Sequence, residues 1–355
     1  MKIVIYSPTF YPPVVDGTSV QAKRQVDMLS EDNEVYPITF SVDRDLKIIQ
    51  HPLLDGIERI EPTYINRKKF PDISGELVAK RISDIHPDVI GIRGWYQFKV
   101  IKEIFDRNLG SSRILWHVDG IYECHEHFKN DPFYSSFIDS VISADVGIVS
   151  HSSEDTKMLL EIGFKKEKIR ELPPIINYSK FSQNKDWSKP IILSVGRFFP
   201  YKRHEEVFEV AKEVDSSLDI ILAGAGDSEC STSIIDRLNK RGAVLLINPS
   251  DSLLERIYSL ATHFLLASTV ESLGIATLES VVAGCIPLVR KIGGIISYLP
   301  DDFLFSDREE FANKLREIIK PEVIEKKVRK LSQIKESMSY ERVKERFGKV
   351  YAGLV

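Results

Sequence analysis

The chain has 355 residues, 43% of them hydrophobic, a length that favours two domains over one and a composition able to fill a substantial core. A formal net charge of -4 and a pI near 6.1 offer no concentrated basic surface, so nucleic acid is not an expected partner. Cys124, Cys230 and Cys285 are widely spaced, odd in number and match no zinc spacing, which argues for reduced thiols and against a metal site built on them.

The opening MKIVIYSPTFYPP is apolar but broken by Ser7 and Pro8 before a signal-peptide core could form, and no uncharged apolar run of roughly 18 residues follows. A cytoplasmic chain that does not span a membrane is the expectation. In chain order, residues 2–6 predict a strand, and Pro8, Pro12, Pro13 and Gly17 a loop. Ala22, Val26 and Leu29 have helical spacing, and residues 35–40 predict a second strand. Apolar runs at 89–92, 114–117 and 146–149 continue the alternation of strand and helix that a parallel sheet requires.

Residues 177–190, NYSKFSQNKDWSKP, are polar, unpatterned and end in proline, which predicts a linker. Beyond it, strand-like runs at 191–195, 220–223, 244–247, 264–266 and 286–289 alternate with helical patterns at 205–214, 232–241, 252–260 and 275–283. This describes a second doubly wound α/β sheet. At the end, Val343, Phe347, Val350, Tyr351 and Leu354 share one helical face that must be buried against something.

Doubly wound folds bind ligands at the carboxyl ends of their strands, so the loops there carry the chemistry. After the strand ending at Val195 come Gly196, Arg197 and Lys202, ahead of a helix near His204. An Arg and a Lys beside a helix amino terminus suit an anion, against the plainer reading of a solvated charged loop. Gly224 and Gly226 also follow a strand, but Glu229 stands where the third glycine of a dinucleotide fingerprint would be. The stretch ESLGIATLES, 271–280, places Glu271 in a loop and Glu279 on the helix that follows Gly274. Eight residues along a helix span about 12 Å, too far for a carboxylate dyad, so the two acids should serve different parts of one long ligand. Amides near Gly274 would face a phosphate, and Glu279 could accept hydrogen bonds from a ribose.

The MKIVIYSPTFYPPVVDGTS opening, SVGRFFPYK at 194–202, the AGAGD loop and ESLGIATLESVVAGCIPLV at 271–289, in this order, resemble the retaining nucleotide-sugar glycosyltransferases of family four. The resemblance runs over nearly the whole chain. It implies the GT-B fold, an α/β architecture of two doubly wound Rossmann-like domains facing across a cleft. Residues 1–176 with 338–355 would form the acceptor-side domain, 177–190 the linker, and 191–337 the donor-binding domain, with the helix at about 340–355 crossing back onto the first. It implies a UDP- or GDP-linked sugar as donor and co-substrate, a glycan, lipid-linked or other hydroxyl acceptor, and no cofactor or metal.

Carried over by the resemblance, Arg197 and Lys202 grip the donor diphosphate, Glu279 binds the ribose, Glu271 lies beside the donor sugar, and His117 faces that sugar from the first domain. The expected donor set further takes in Gly17, Gly224, Pro249, Ser272, Leu273, Gly274 and Ile275. The base pocket is expected around Ile247 to Pro249. Asp16, Arg93, Trp95 and Tyr96 are acceptor-side candidates, the last three because they follow a strand and could stack on or bond to a sugar. Asp16 and Gly17 depart from a Gly-Gly pair common in the family, and ELPPIINYSKF replaces its usual run before the linker.

Two other readings stand beside this one: a hexosamine 2-epimerase-like enzyme on the same fold, and a non-catalytic nucleotide-sugar-binding subunit. The triplet Asp43-Arg44-Asp45 imitates a metal-binding Asp-x-Asp loop but lies far in sequence from Arg197, Lys202 and Glu279. Asn66-Arg67-Lys68-Lys69-Phe70 mixes basic and aromatic residues, and reads either as a peripheral contact with the inner membrane face or as a solvated loop.

Overall fold

The structure is a computed structural model. It describes residues 1–7, 17–40, 58–60, 75–94, 98–107, 112–121, 125, 129–144, 146–176, 181, 185–226 and 229–353. Asp16, Asp43 to Asp45, Asn66 to Phe70, Trp95, Tyr96, Cys124, Leu354 and half of the expected linker lie outside the described residues.

The first sheet consists of β1 (Lys2–Tyr6), β2 (Glu34–Phe40), β3 (Glu58–Ile60), β4 (Val89–Arg93), β5 (Arg113–His117), β6 (Val146–Ser150) and β7 (Ile169–Glu171). The second consists of β8 (Ile191–Val195), β9 (Asp219–Gly224), β10 (Val244–Ile247), β11 (His263–Leu266), β12 (Ile286–Arg290) and β13 (Leu304–Phe305). Every strand pairing is parallel. Helices such as Gly17–Ser30, His204–Val214 and Ile275–Val282 connect successive strands. A parallel strand covered by helices on both faces has no solvent side, which is why β4 (VIGIR) and β11 (HFLL) are buried at every position.

The order β3-β2-β1-β4-β5-β6-β7 reverses direction between β1 and β4, and the order β10-β9-β8-β11-β12-β13 reverses between β8 and β11. At such a reversal the two connecting helices leave toward opposite faces, opening a crevice beyond the strand ends. The short β3, β7 and β13 are not among the strands expected from the sequence, since two or three residues give no period to read.

The chain forms two compact units, Met1–Ile175 with Val343–Val355, and Ile176–Arg342. Each has its own apolar core. The last helix, Tyr340–Ala352, presents Val343, Phe347, Val350 and Tyr351 as a buried stripe. Gly91 in β4 leaves the space that the Tyr351 hydroxyl fills. Among the described residues no helix is long and apolar enough to cross a membrane.

Candidate functional site

The reversal between β8 and β11 brings together Lys202 and Glu271 of the expected donor set. Beyond β8 the chain passes Gly196 and Arg197, makes the short turn Pro200–Lys202, and enters the helix His204–Val214 through Arg203 at φ 55. Beyond β11, the Thr269 amide donates to the Tyr201 carbonyl at 2.8 Å, tying the two loops together. Lys202 Nζ then donates to Glu271 Oε2 at 2.6 Å, with both side chains only 15% exposed. Arg197 remains exposed, its guanidinium 4.9 Å above the Phe199 ring and bonded to the Tyr201 hydroxyl at 3.0 Å.

Gly274 adopts φ 74 as the residue preceding the helix Ile275–Val282, and no side chain caps that end. The first amides of a helix have no partner within it, so a turn with no capping side chain leaves donors for a ligand. The Thr277 hydroxyl in that first turn is buried and has no hydrogen-bond partner among the described residues. Glu279 is half-buried and accepts from the Tyr258 hydroxyl at 3.3 Å. Leu273 is buried at 8% exposure, so it acts in the packing beneath the turn and offers a ligand little besides its backbone.

Glycines hold these loops close. A β-carbon on Gly224 would overlap the Gly196 carbonyl, so the ends of β8 and β9 meet only because residue 224 has no side chain. Gly226 donates its amide to the Asn248 side chain at 3.1 Å, beside the half-buried Pro249. Gly293, at φ 60, packs against the Glu271 carbonyl, and the Gly294 amide donates to the Ser272 carbonyl at 2.6 Å. The Gly293-Gly294 pair is not among the donor residues expected from the sequence. Its signal was a double glycine just after the strand-like run at 286–289.

In the first unit Gly17 opens the helix Gly17–Ser30 after β1, and Arg93 ends β4, so both flank the reversal of that sheet. The expectation that Arg93 sits on a sugar-contacting loop is corrected: its side chain is 0% exposed. It donates to Gln25 Oε1 and to Asp119 Oδ1, each at 2.7 Å. Desolvating a guanidinium requires such partners, and Asp119 supplies the compensating charge. His117 is also fully buried rather than open to a sugar. His151 Nδ1 donates to the Leu172 carbonyl at 2.9 Å, which leaves His151 Nε2 as an acceptor for His117 Nδ1 at 3.4 Å. His117 Nε2 accepts in turn from the Tyr351 hydroxyl at 2.8 Å. In both cases a partner lies far along the chain, Gln25 for Arg93 and Tyr351 for His117.

Burial pushes His151, His204 and His263 down to about 4 and His117 well below its ordinary value, so all are neutral in the folded protein. Their stabilisation is fully present above the ordinary value of 6.5 and is lost as pH falls toward 4. Burial raises Asp155 to about 7, which has the opposite sign and partly offsets this acid loss. Acid denaturation is therefore expected to begin below pH 6.5. His263, whose Nε2 donates to the Ile318 carbonyl at 3.0 Å, is the simplest to isolate. His263→Gln should make the fall of Tm between pH 6.5 and 4 shallower, and an unchanged acid limb in calorimetry would refute the assignment.

Two Rossmann-like units with all-parallel sheets, one carrying cations and an uncapped glycine turn at its strand reversal, define an α/β protein of the GT-B fold. Sucrose-phosphate synthase from Thermosynechococcus elongatus shares this fold with a TM-score of 0.80 at 18% identity, over 99% of this chain and 98% of that one. Anabaena Alr3699/HepE, solved in complex with UDP-glucose, aligns with a TM-score of 0.78 at 13% identity, over 99% and 100% of the two chains. Residues 176–338 match the family Glycosyl transferases group 1, a span that coincides closely with the second unit. A glycogen synthase from Hydrogenovibrio crunogenus is 24% identical over 247 residues, covering 68% of this chain and 42% of that protein. The chain thus spans less than half the length of that relative.

Proposed function

We propose that the protein transfers a sugar from a nucleotide-sugar donor to a hydroxyl acceptor with retention of configuration and without a metal ion. The observation that carries this reading is the joining of Lys202 to Glu271 at 2.6 Å at the β8–β11 reversal, beside the uncapped turn at Gly274. The diphosphate leaves as charge builds on its oxygens. Arg197, Lys202 and the helix amides after Gly274 stabilise that charge in place of a divalent ion. Glu271 orients the donor sugar, and the acceptor hydroxyl attacks from the face the leaving group vacates, its proton passing to the departing diphosphate oxygen, so no covalent intermediate on a carboxylate is needed. Glu279 holds the ribose. A UDP donor is favoured by the likeness to a protein solved with UDP-glucose. The acceptor is a glycan, lipid-linked or other hydroxyl, and the reaction is placed in the cytoplasm.

The test is calorimetric binding and transfer assays with UDP, GDP and their sugar conjugates, with and without excess chelator. A ligand at 100 times its dissociation constant stabilises by about 2.7 kcal/mol, so a matching nucleotide sugar should raise Tm visibly. Glu279→Ala should weaken that ligand by about 1.5 to 3 kcal/mol, since ribose hydroxyls lose an ionised acceptor. Affinity unchanged in the folded variant would remove the ribose role. Loss of transfer on chelation, restored by magnesium or manganese, would overturn the metal-free mechanism. Conversion of the donor sugar with no acceptor consumed would favour an epimerase.

A further inference from the structure

His204 belongs to none of the roles assigned above, yet it lies directly beneath the loop that carries Arg197 and Lys202. It is the first residue of the helix His204–Val214, and the left-handed Arg203 before it turns its side chain back under that loop. The ring is 1% exposed. Its Nε2 lies 3.1 Å from the Gly196 carbonyl and its Nδ1 lies 3.3 Å from the Ser194 hydroxyl. A carbonyl only accepts, so Nε2 carries the proton, and Nδ1 accepts from Ser194. Phe198 packs on the ring with centroids 4.9 Å apart. The Gly196 carbonyl is confined on its other side by Gly224, where a β-carbon would collide with it. The Gly196–Arg197 peptide plane is therefore fixed from two directions. A β-carbon on Gly196 would lie 3.3 Å from Lys202 Cδ and 3.6 Å from His204 Nε2, so the lysine stem and the imidazole bracket the same residue.

We propose that His204 is a positioning residue for anion binding, which by donating to the Gly196 carbonyl holds the Gly196–Lys202 loop in the orientation that receives a diphosphate. This rests on the donor reading above and deepens it. Without the bond the Gly196 carbonyl is restrained only on the Gly224 side, and a carbonyl oxygen turned toward a diphosphate repels it. Burial, which pushes the imidazole down to about 4, keeps it neutral at working pH, so the loop beneath the anion gains a donor without a second full charge close to Lys202.

The test compares UDP and GDP with uridine and guanosine, by calorimetric or competition titration, on the parent chain and on His204→Ala, His204→Gln and Ser194→Ala. Losing a buried hydrogen bond worth about 1.4 kcal/mol corresponds to about a tenfold change. His204→Ala should therefore weaken the nucleoside diphosphate about tenfold while leaving the nucleoside within about twofold. His204→Gln, whose amide can donate to the same carbonyl, should recover most of the loss, and Ser194→Ala should show a smaller loss of the same selectivity. Equal weakening of nucleoside and diphosphate, or no weakening in any folded variant, overturns the positioning role while the donor site stands. A parent chain that binds neither UDP nor GDP overturns the donor reading, and this inference with it. If His204→Ala does not fold, His204→Gln and Ser194→Ala decide: retained selectivity in the first with reduced selectivity in the second supports the role, and any other pair of results refutes it.

Discussion

Lys202→Ala should lower kcat by about two to three orders of magnitude, the loss typical of removing one preorganised group from a developing oxyanion. The side chain is 15% exposed and held by Glu271 at 2.6 Å, so its charge is already in place before a ligand arrives. A charge fixed in this way needs no reorganisation when the diphosphate begins to leave, and partial exclusion of water strengthens its effect. Stability should fall as well, because Glu271, 15% exposed like the lysine, is left as a largely desolvated carboxylate without its cation, so Tm is read beside kcat. The measurement is kcat for donor-sugar transfer together with Tm. A variant with full turnover and a lowered Tm would show that the pair serves the fold and would return the Arg197–Lys202 loop to the reading of a solvated charged segment.

Gly293→Ala should strongly destabilise the second unit. At φ 60 the residue is in the left-handed region, which costs an alanine about 1 to 2 kcal/mol. The new β-carbon would also fall within the Glu271 carbonyl, a backbone atom that cannot swing aside as a side chain can. Overpacking of this kind typically costs about 1 to 3 kcal/mol more. Relief requires moving residues 271 and 272, whose backbone is tied to Gly294 at 2.6 Å, and that motion displaces Glu271 from Lys202. A lowered Tm should thus accompany weaker nucleotide-sugar binding. Gly242→Ala is the control, since that residue also has positive φ but a β-carbon there meets nothing within 4 Å. Equal losses in both variants would show that backbone strain alone, and not the contact with Glu271, is responsible.

The strands of both sheets could be read from the chain because parallel strands buried on two faces leave near-continuous apolar runs, as in IILSV and HFLL. The turn at Gly274 could be read because a glycine between a polar loop and an apolar helical period marks a helix start. In each case the signal lies within about ten residues. The burial of Arg93 could not be read that way. Its neighbours Gly94, Trp95 and Tyr96 look like any polar and aromatic loop, and the arginine's partners, Gln25 at 68 residues and Asp119 at 26 residues, come to it from distant parts of the chain.

Local composition and period alone therefore account for the two-unit α/β architecture, for the alternation of its elements, and for the presence of an Arg, a Lys and two Glu near strand ends. Folding alone decided which of these groups meet. Lys202 and Glu271 are 69 residues apart and become an ion pair because β8 and β11 are neighbours across the strand reversal, an adjacency set by sheet order that no local pattern encodes. His117 and Tyr351, 234 residues apart, bond because the last helix buries its apolar stripe on the first unit, and the polar hydroxyl at the edge of that stripe had to find an acceptor there.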